Sequence, residues 1–213
     1  MRWVDEGRLP DLREWQQLSI LCVAMIATVL SWDGYLVAID ERELKGFWRF
    51  AIDILLVFLY MFLLITSKHL TWWIFIHVIT FILYVIWDIL TIKEHIEKYY
   101  YDPKPERLTI IGVYLGGLKD SAYVKRGPIT TLTWTFYFLG LFLITRTGLK
   151  DYVFVTSVFA GCGLILYRRD KRLSFSMCRR LLTIIVTLVI AFLYSHYLTM
   201  FNDTYFARWL GLI

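Results

Sequence analysis

The sequence predicts an all-α fold: a polytopic helical membrane protein with about six transmembrane helices and a central hairpin made of the second and third. The first observation is composition. Hydrophobic residues make up 58% of the 213-residue chain and charged residues 19%, against about 45–50% and about 25% in an average soluble domain. The second is that the apolar residues come in runs of about 18 or more, which cross about 30 Å of hydrocarbon as a helix. We interpret residues 1–213 as one transmembrane domain.

The six spans follow the apolar runs in chain order. They are predicted at residues 18–39, 47–66, 71–92, 129–144, 152–167 and 181–200. The first run begins too late for a cleaved signal peptide and lacks a small-residue cleavage site, so we expect it to stay as an anchor. The second and third runs are separated only by Ser67, Lys68 and His69. A joint this short predicts that they form an antiparallel hairpin.

Residues 93–128 are predicted to form a cytoplasmic connector between the third and fourth spans. The third helix should run on into water and stop before Pro103, because proline lacks the N–H that continues a helix. The apolar piece 108–118 would reach only about 16 Å as a helix, too short to span. It lies on the surface or enters the membrane and returns. This connector is also where a cytoplasmic protein partner would dock.

Two further features are predicted in the last third of the chain. Small residues in the fifth span would let another helix approach closely; they are Ser157, Ala160, Gly161 and Gly163. Residues 203–213 are predicted to form an interfacial helix, capped by Asn202 or Asp203.

The joint between the fifth and sixth spans is strongly basic. The predicted basic patch consists of Arg168, Arg169, Lys171, Arg172, Arg179 and Arg180. Such cations bind anionic lipid headgroups, at about 1 kcal/mol each near the surface, or an acidic protein partner. The plain alternative is the usual excess of cations in cytoplasmic joints. That excess also accounts for the net charge of +5, so we do not expect nucleic acid as a partner.

The distribution of cations predicts the orientation. With six spans, sixteen of the 23 Lys and Arg residues lie on the side that holds the joints after the first, third and fifth spans. Cytoplasmic joints carry the excess of Lys and Arg. We therefore expect a multi-pass protein of the prokaryotic inner membrane, with its basic joints in the cytoplasm and both termini outside.

A predicted charge cluster lies in the hairpin, where Arg49, Asp53, Asp88 and Tyr84 fall within or beside the apolar runs. If the helices fold back at the joint, Arg49 lies level with Asp88, and Asp53 level with Tyr84 one turn deeper. One arginine would then reach two carboxylates. Charges in lipid turn inward and pair, so the cluster either fixes the register of the hairpin or lines an ion path or proton relay. A third reading puts Arg49 and Asp88 at the lipid headgroups.

No cofactor or metal is expected. His69, His77 and His196 lack the spacing of ligands on one helix, and no cluster of acids or cysteines joins them. Cys22, Cys162 and Cys178 form no CxxC pair. We expect hydrogen-bonded histidines and free thiols.

The leading functional hypothesis is a non-enzymatic integral membrane subunit that forms a homo-oligomer or anchors a cytoplasmic partner. An ion-conducting pore along the oligomer axis would fit this, for example in a membrane effector of a prokaryotic antiviral defence module. No GxSxG, HExxH or P-loop motif occurs. One alternative is a small proton-coupled transporter that uses Asp53 and Asp88. The other is a lipid-modifying enzyme acting where Asp88, Glu94 and His95 lie close in sequence.

Overall fold

The computed structural model describes residues 17–29, 47–66, 69–99, 127–147, 153–173 and 175–202, together with Gly112 and Tyr114. These residues form six α-helices and contain no strand. The helices are α1 (Gln17–Val29), α2 (Phe47–Ile65), α3 (Leu70–Tyr99), α4 (Pro128–Thr147), α5 (Val153–Leu173) and α6 (Met177–Asn202). The all-α prediction is confirmed for this part of the chain.

Four of the helices are long and apolar enough to cross a membrane. The segments concerned are Phe47–Ile65, Leu70–Glu94, Pro128–Arg146 and Met177–Tyr194. Helix α5 differs because its last turns carry the basic stretch, which leaves residues 153–167 as an apolar length of about 22 Å. In α1 the structure describes 13 residues, about 20 Å of helix, and residues 30–39 of the first predicted span lie outside its described part.

Helix α2 packs against α3, while helix α4 packs against α3, α5 and α6. Its buried face repeats every three to four residues, as expected for a helix in a core. Trp134, Tyr137, Phe138 and Leu141 are all fully buried. The most extensive helix contact is between α3 and α4, so α3, the second helix of the predicted hairpin, packs more extensively against α4 than against α2.

Aromatic contacts show that α3 and α4 run in opposite directions. Phe75 meets Phe142 with ring centroids 5.5 Å apart, and Phe81 meets Phe138 at 4.6 Å. Helix α3 has 30 residues, about 45 Å, and so extends well beyond the roughly 30 Å of a hydrocarbon layer. The predicted continuation of the third helix beyond its apolar run is present as far as Tyr99.

The small residues of α5 make close contacts, as predicted. Ser157 Oγ lies 2.8 Å from Ser19 Oγ of α1. A Cβ placed on Gly161 would lie 3.4 Å from Val23 Cγ2, one turn further along both helices. These two contacts set α1 and α5 parallel.

Three sequence-based predictions fall outside the described residues. They concern residues 30–39 of the first predicted span, the reach of segment 108–118 apart from Gly112 and Tyr114, and the interfacial helix 203–213.

Candidate functional site

Buried polar side chains from four helices meet at one end of the described structure. We call this group the polar cluster. Its members are Asp88 of α3, Thr131 and Trp134 of α4, Tyr167, Asp170 and Lys171 of α5, and Arg180 of α6. They lie in the second half of α3, at the start of α4, near the end of α5 and at the start of α6. The cluster therefore ties together four helices that alternate in direction.

Asp88 forms the first half of the cluster. It is fully buried, and Thr131 Oγ1 donates a hydrogen bond of 2.5 Å to its Oδ2. The Lys171 ammonium lies 3.2 Å from its Oδ1 and donates a second hydrogen bond, also of 3.2 Å, to the Tyr167 hydroxyl. That hydroxyl is 3.5 Å from Thr131 Oγ1. The Asp88 carboxylate thus joins α3 to both α4 and α5.

Asp170 forms the second half. It is also fully buried. Arg180 donates two hydrogen bonds to it, from Nε to Oδ2 at 2.5 Å and from Nη2 to Oδ1 at 3.3 Å. Trp134 Nε1 donates a further hydrogen bond of 2.8 Å to Oδ2. Arg180 Nη2 also donates to the Phe175 carbonyl at 3.2 Å. A two-point contact between guanidinium and carboxylate fixes both distance and orientation.

Helical spacing explains why these residues meet. Residues three and four apart share a helix face, so Tyr167, Asp170 and Lys171 point from one side of α5 towards its neighbours. On α4, Thr131 and Trp134 are three apart and reach the two carboxylates in turn. Arg169 lies on another side of α5 and is exposed.

The structure divides the charge cluster predicted in the hairpin. Arg49 Nη1 binds Glu94 Oε2 at 2.6 Å, and its guanidinium carbon lies 5.5 Å from the centre of the Trp87 ring. Asp88 binds Lys171. The predicted sharing of Arg49 with Asp88 is therefore corrected: each has a different ion-pair partner.

The reason for this correction is rotation about α3. Depth matching placed Arg49 level with Asp88, but consecutive residues on a helix point about 100° apart. Trp87 and Glu94 are seven residues apart, two turns along one face, and that face meets α2. Asp88 lies on the neighbouring face, towards α4 and α5.

The other two members of the predicted hairpin cluster lie one turn nearer to the joint between α2 and α3. Asp53 is half-buried on α2. The Tyr84 hydroxyl contacts the Tyr60 hydroxyl across the interface between α2 and α3. This polar contact is separate from the polar cluster.

The predicted basic patch is also divided, because its residues are helical. Lys171 and Arg180 turn inward into the polar cluster, with side chains 17% and 5% exposed. Arg169 and Arg179 are exposed, Arg168 is half-buried, and the side chain of Arg172 lies outside the described part. The expected six-cation surface is therefore smaller than predicted, since α5 extends to Leu173 and two of the cations bind buried acids.

The histidines behave differently from one another. His77 is buried, its Nδ1 lies 3.0 Å from the Trp73 carbonyl oxygen, and its ring stacks on Phe138. His69 is exposed, and the side chain of His196 is outside the described part. Among described residues, no group of three or more His, Cys, Asp or Glu side chains could hold a metal ion. The thiols of Cys22, Cys162 and Cys178 are free.

Sequence reasoning missed Thr131, Trp134, Tyr167 and Asp170 as cluster members. One signal could have found Asp170, since it is the only acid in the basic stretch 168–180. An acid so placed has a cation within reach on either side. The two α4 donors carry no comparable signal, because Thr and Trp are common in apolar helices. No family model, curated protein or solved structure matches this chain.

Proposed function

We propose that this protein is a non-enzymatic integral membrane subunit that acts by assembling with copies of itself, and through that assembly anchors a cytoplasmic partner or encloses an ion path. The observation that carries the proposal is the contrast between α4, whose apolar face is buried, and α2 and α6, whose apolar faces are open. The polar cluster supports the non-enzymatic part of the proposal, because its carboxylates and its cations bind one another and so stabilise the helix packing.

The open faces are large. On α2 they include Leu55, Phe58 and Phe62, and on α6 they include Leu182, Ile185 and Phe192, all about half exposed or more. Soluble monomers rarely expose contiguous apolar patches of more than a few hundred Å². Lipid and neighbouring subunits are the natural cover for such faces in a membrane, where helices associate by close packing.

We further propose six spans, with the polar cluster at the cytoplasmic end and both termini outside. The excess of Lys and Arg on the joints at that end supports this orientation. At the same end, Arg169 and Arg179 remain exposed and would meet anionic lipid headgroups.

The oligomeric state in native-like lipid tests the proposal. Protein extracted with a lipid-preserving polymer should give, by native mass spectrometry, a mass of two or more chains. Single-residue changes from Leu to Ala on the open face of α2 or of α6 should shift it towards the monomer. Leu139→Ala on α4 is a matched control, also exposed and apolar. A monomer at all concentrations, with no stoichiometric protein partner in the extract, would refute the proposal.

Ion flux separates a pore from a plain anchor. Reconstituted protein in liposomes should release a trapped cation or anion if the oligomer encloses a path. The flux should then fall in the α2 or α6 variants that dissociate it. Oligomers without flux leave the anchoring role as the function.

A further inference from the structure

The two carboxylates of the polar cluster are held unequally. Asp170 accepts three hydrogen bonds from N–H groups, two of them from Arg180, whose side chain is 5% exposed. Asp88 accepts one from a hydroxyl and one from the Lys171 ammonium, whose side chain is 17% exposed. The carboxylate of Asp88 thus accepts fewer hydrogen bonds than that of Asp170, and its cation is the more exposed of the two.

The cations also differ in freedom. The guanidinium of Arg180 is a rigid fork that matches a carboxylate at two points, whereas the ammonium of Lys171 is a point charge on a flexible stem. Lys171 already donates to Tyr167 as well as to Asp88. Its ammonium can therefore leave the carboxylate and keep one partner in the cluster.

We propose that Asp88 is a proton-binding site, at which a proton from the cytoplasmic side competes with the Lys171 ammonium for one carboxylate. At neutral pH the ionised Asp88 holds Lys171 and ties α3 to α5. When a hydronium ion delivers a proton, its O–H bond breaks and it leaves as water, while an O–H bond forms on Asp88 and the charge of the carboxylate is lost. Lys171 keeps its own proton and turns to Tyr167 and to water. One proton is taken up, and the tie between α3 and α5 is released.

The surroundings of Asp88 suit this exchange. Helix α4 contributes the neutral Thr131, which can donate to the ionised carboxylate or accept from the protonated one. Helix α5 contributes Lys171 and, beside it, the Tyr167 phenol. Two other ion pairs lie at this end, Arg49–Glu94 and Arg180–Asp170. Both pairs keep their charges in the exchange.

This inference rests on the proposed membrane placement of α3 and α5, but it does not require the assembly role. If the protein is extracted from membranes by carbonate, the placement itself fails. If it stays in the membrane and shows no proton binding at Asp88, only the present inference fails.

Infrared difference spectra of the protein in lipid nanodiscs test the site. On acidification from neutral pH, the wild type should gain a carbonyl band of a buried carboxylic acid that Asp88→Asn lacks. Glu94→Gln, which removes the partly exposed acid bound to Arg49, is the matched control and should keep that band. Lys171→Met removes the competitor, so the band should already be present at neutral pH.

A distance measurement tests the release. Spin labels placed at Ile86 and Arg169, both exposed, report on the ends of α3 and α5 in a variant without native cysteines. The wild-type distance distribution should broaden on acidification, and Asp88→Asn should show the broad distribution at every pH. Wild-type and Asp88→Asn spectra that match at every pH, or a distance that ignores both pH and the substitution, would overturn the proposal.

Discussion

At the scale of single residues, Arg180 and Asp170 form a buried ion pair with two nitrogen–oxygen contacts. Both side chains are at most 5% exposed, so each depends on the other to offset the loss of water. Removing one partner of a buried ion pair leaves a charge without compensation, which costs about 3–5 kcal/mol.

We therefore expect Asp170→Asn to lower the free energy of unfolding by about 3–5 kcal/mol, because Arg180 stays charged in its buried position. Thermal unfolding in detergent, followed by tryptophan fluorescence, measures the change. Arg169→Gln is the control on the same turn of α5, and as an exposed substitution it should fall within about 0.5 kcal/mol of the wild type. Equal effects of the two substitutions would show that the Asp170 pair does not hold the helices.

Residue pairing was the least predictable part of the site. Depth along the hairpin was enough to place Arg49 near the end of α3, where Glu94 lies. It could not distinguish Glu94 from Asp88, because the choice depends on which face of α3 meets α2. The packing of His77 and Phe81 against Phe138 of α4 fixes that rotation, and no local pattern encodes it.

At the scale of elements, α5 packs so closely against α4 that Gly163 has no space for a side chain. A Cβ on Gly163 would overlap Cε1 of the Tyr137 ring and lie 2.9 Å from its Cδ1. The ring is fully buried, and its hydroxyl donates to the Phe159 carbonyl at 2.7 Å. It therefore has little freedom to move away.

Gly163→Ala should destabilise the protein by about 1–3 kcal/mol, the usual effect of an overfilled core. Gly161→Ala, half a turn away on the same helix, should be neutral or slightly stabilising. Its added methyl would meet Val23 Cγ2 at an ordinary 3.4 Å, and alanine favours a helix over glycine by up to about 1 kcal/mol. Thermal unfolding of both variants, side by side, measures the difference. A Gly163→Ala protein as stable as Gly161→Ala would contradict the close contact.

Small residues on α5 could be predicted to allow such contacts, and the contacts are present. The end of this helix could not be placed. A run of six cations and one acid suggests a solvated joint, yet α5 continues through it to Leu173. The last turns of α5 are stabilised because Asp88 of α3 binds Lys171 and Arg180 of α6 binds Asp170. These contacts are a property of the tertiary structure.

At the scale of the whole molecule, composition was enough to predict helices that can cross a membrane, and four such helices are present. The order of contacts was not accessible. Six apolar runs of similar length give no indication that the third packs more extensively against the fourth than against the second. Buried aromatics on α4 decide this, and their burial is visible only once the helices are packed.

Orientation can be tested with a native cysteine. Cys178 is exposed at the start of α6, at the end that we place in the cytoplasm. In a protein carrying Cys22→Ser and Cys162→Ser, a membrane-impermeant maleimide should label this thiol in inverted vesicles and not in intact cells. A protein that keeps only Cys22, which lies within the apolar α1, is the control and should label slowly from both sides. Rapid labelling of Cys178 from outside would reverse the proposed orientation.

The adjacent positions of Asp170 and Lys171 bear on how the chain is built during synthesis. When the ribosome has just completed α5, the counter-ion of Lys171 already exists, because α3 was made long before. The counter-ion of Asp170 does not exist until ten residues later. Until then Asp170 lacks the guanidinium that binds it in the folded protein, and the first turn of α6 supplies that group. We therefore expect the end of α5 to reach its final packing only after α6 has been made, and a chain that ends between them to lack this ion pair.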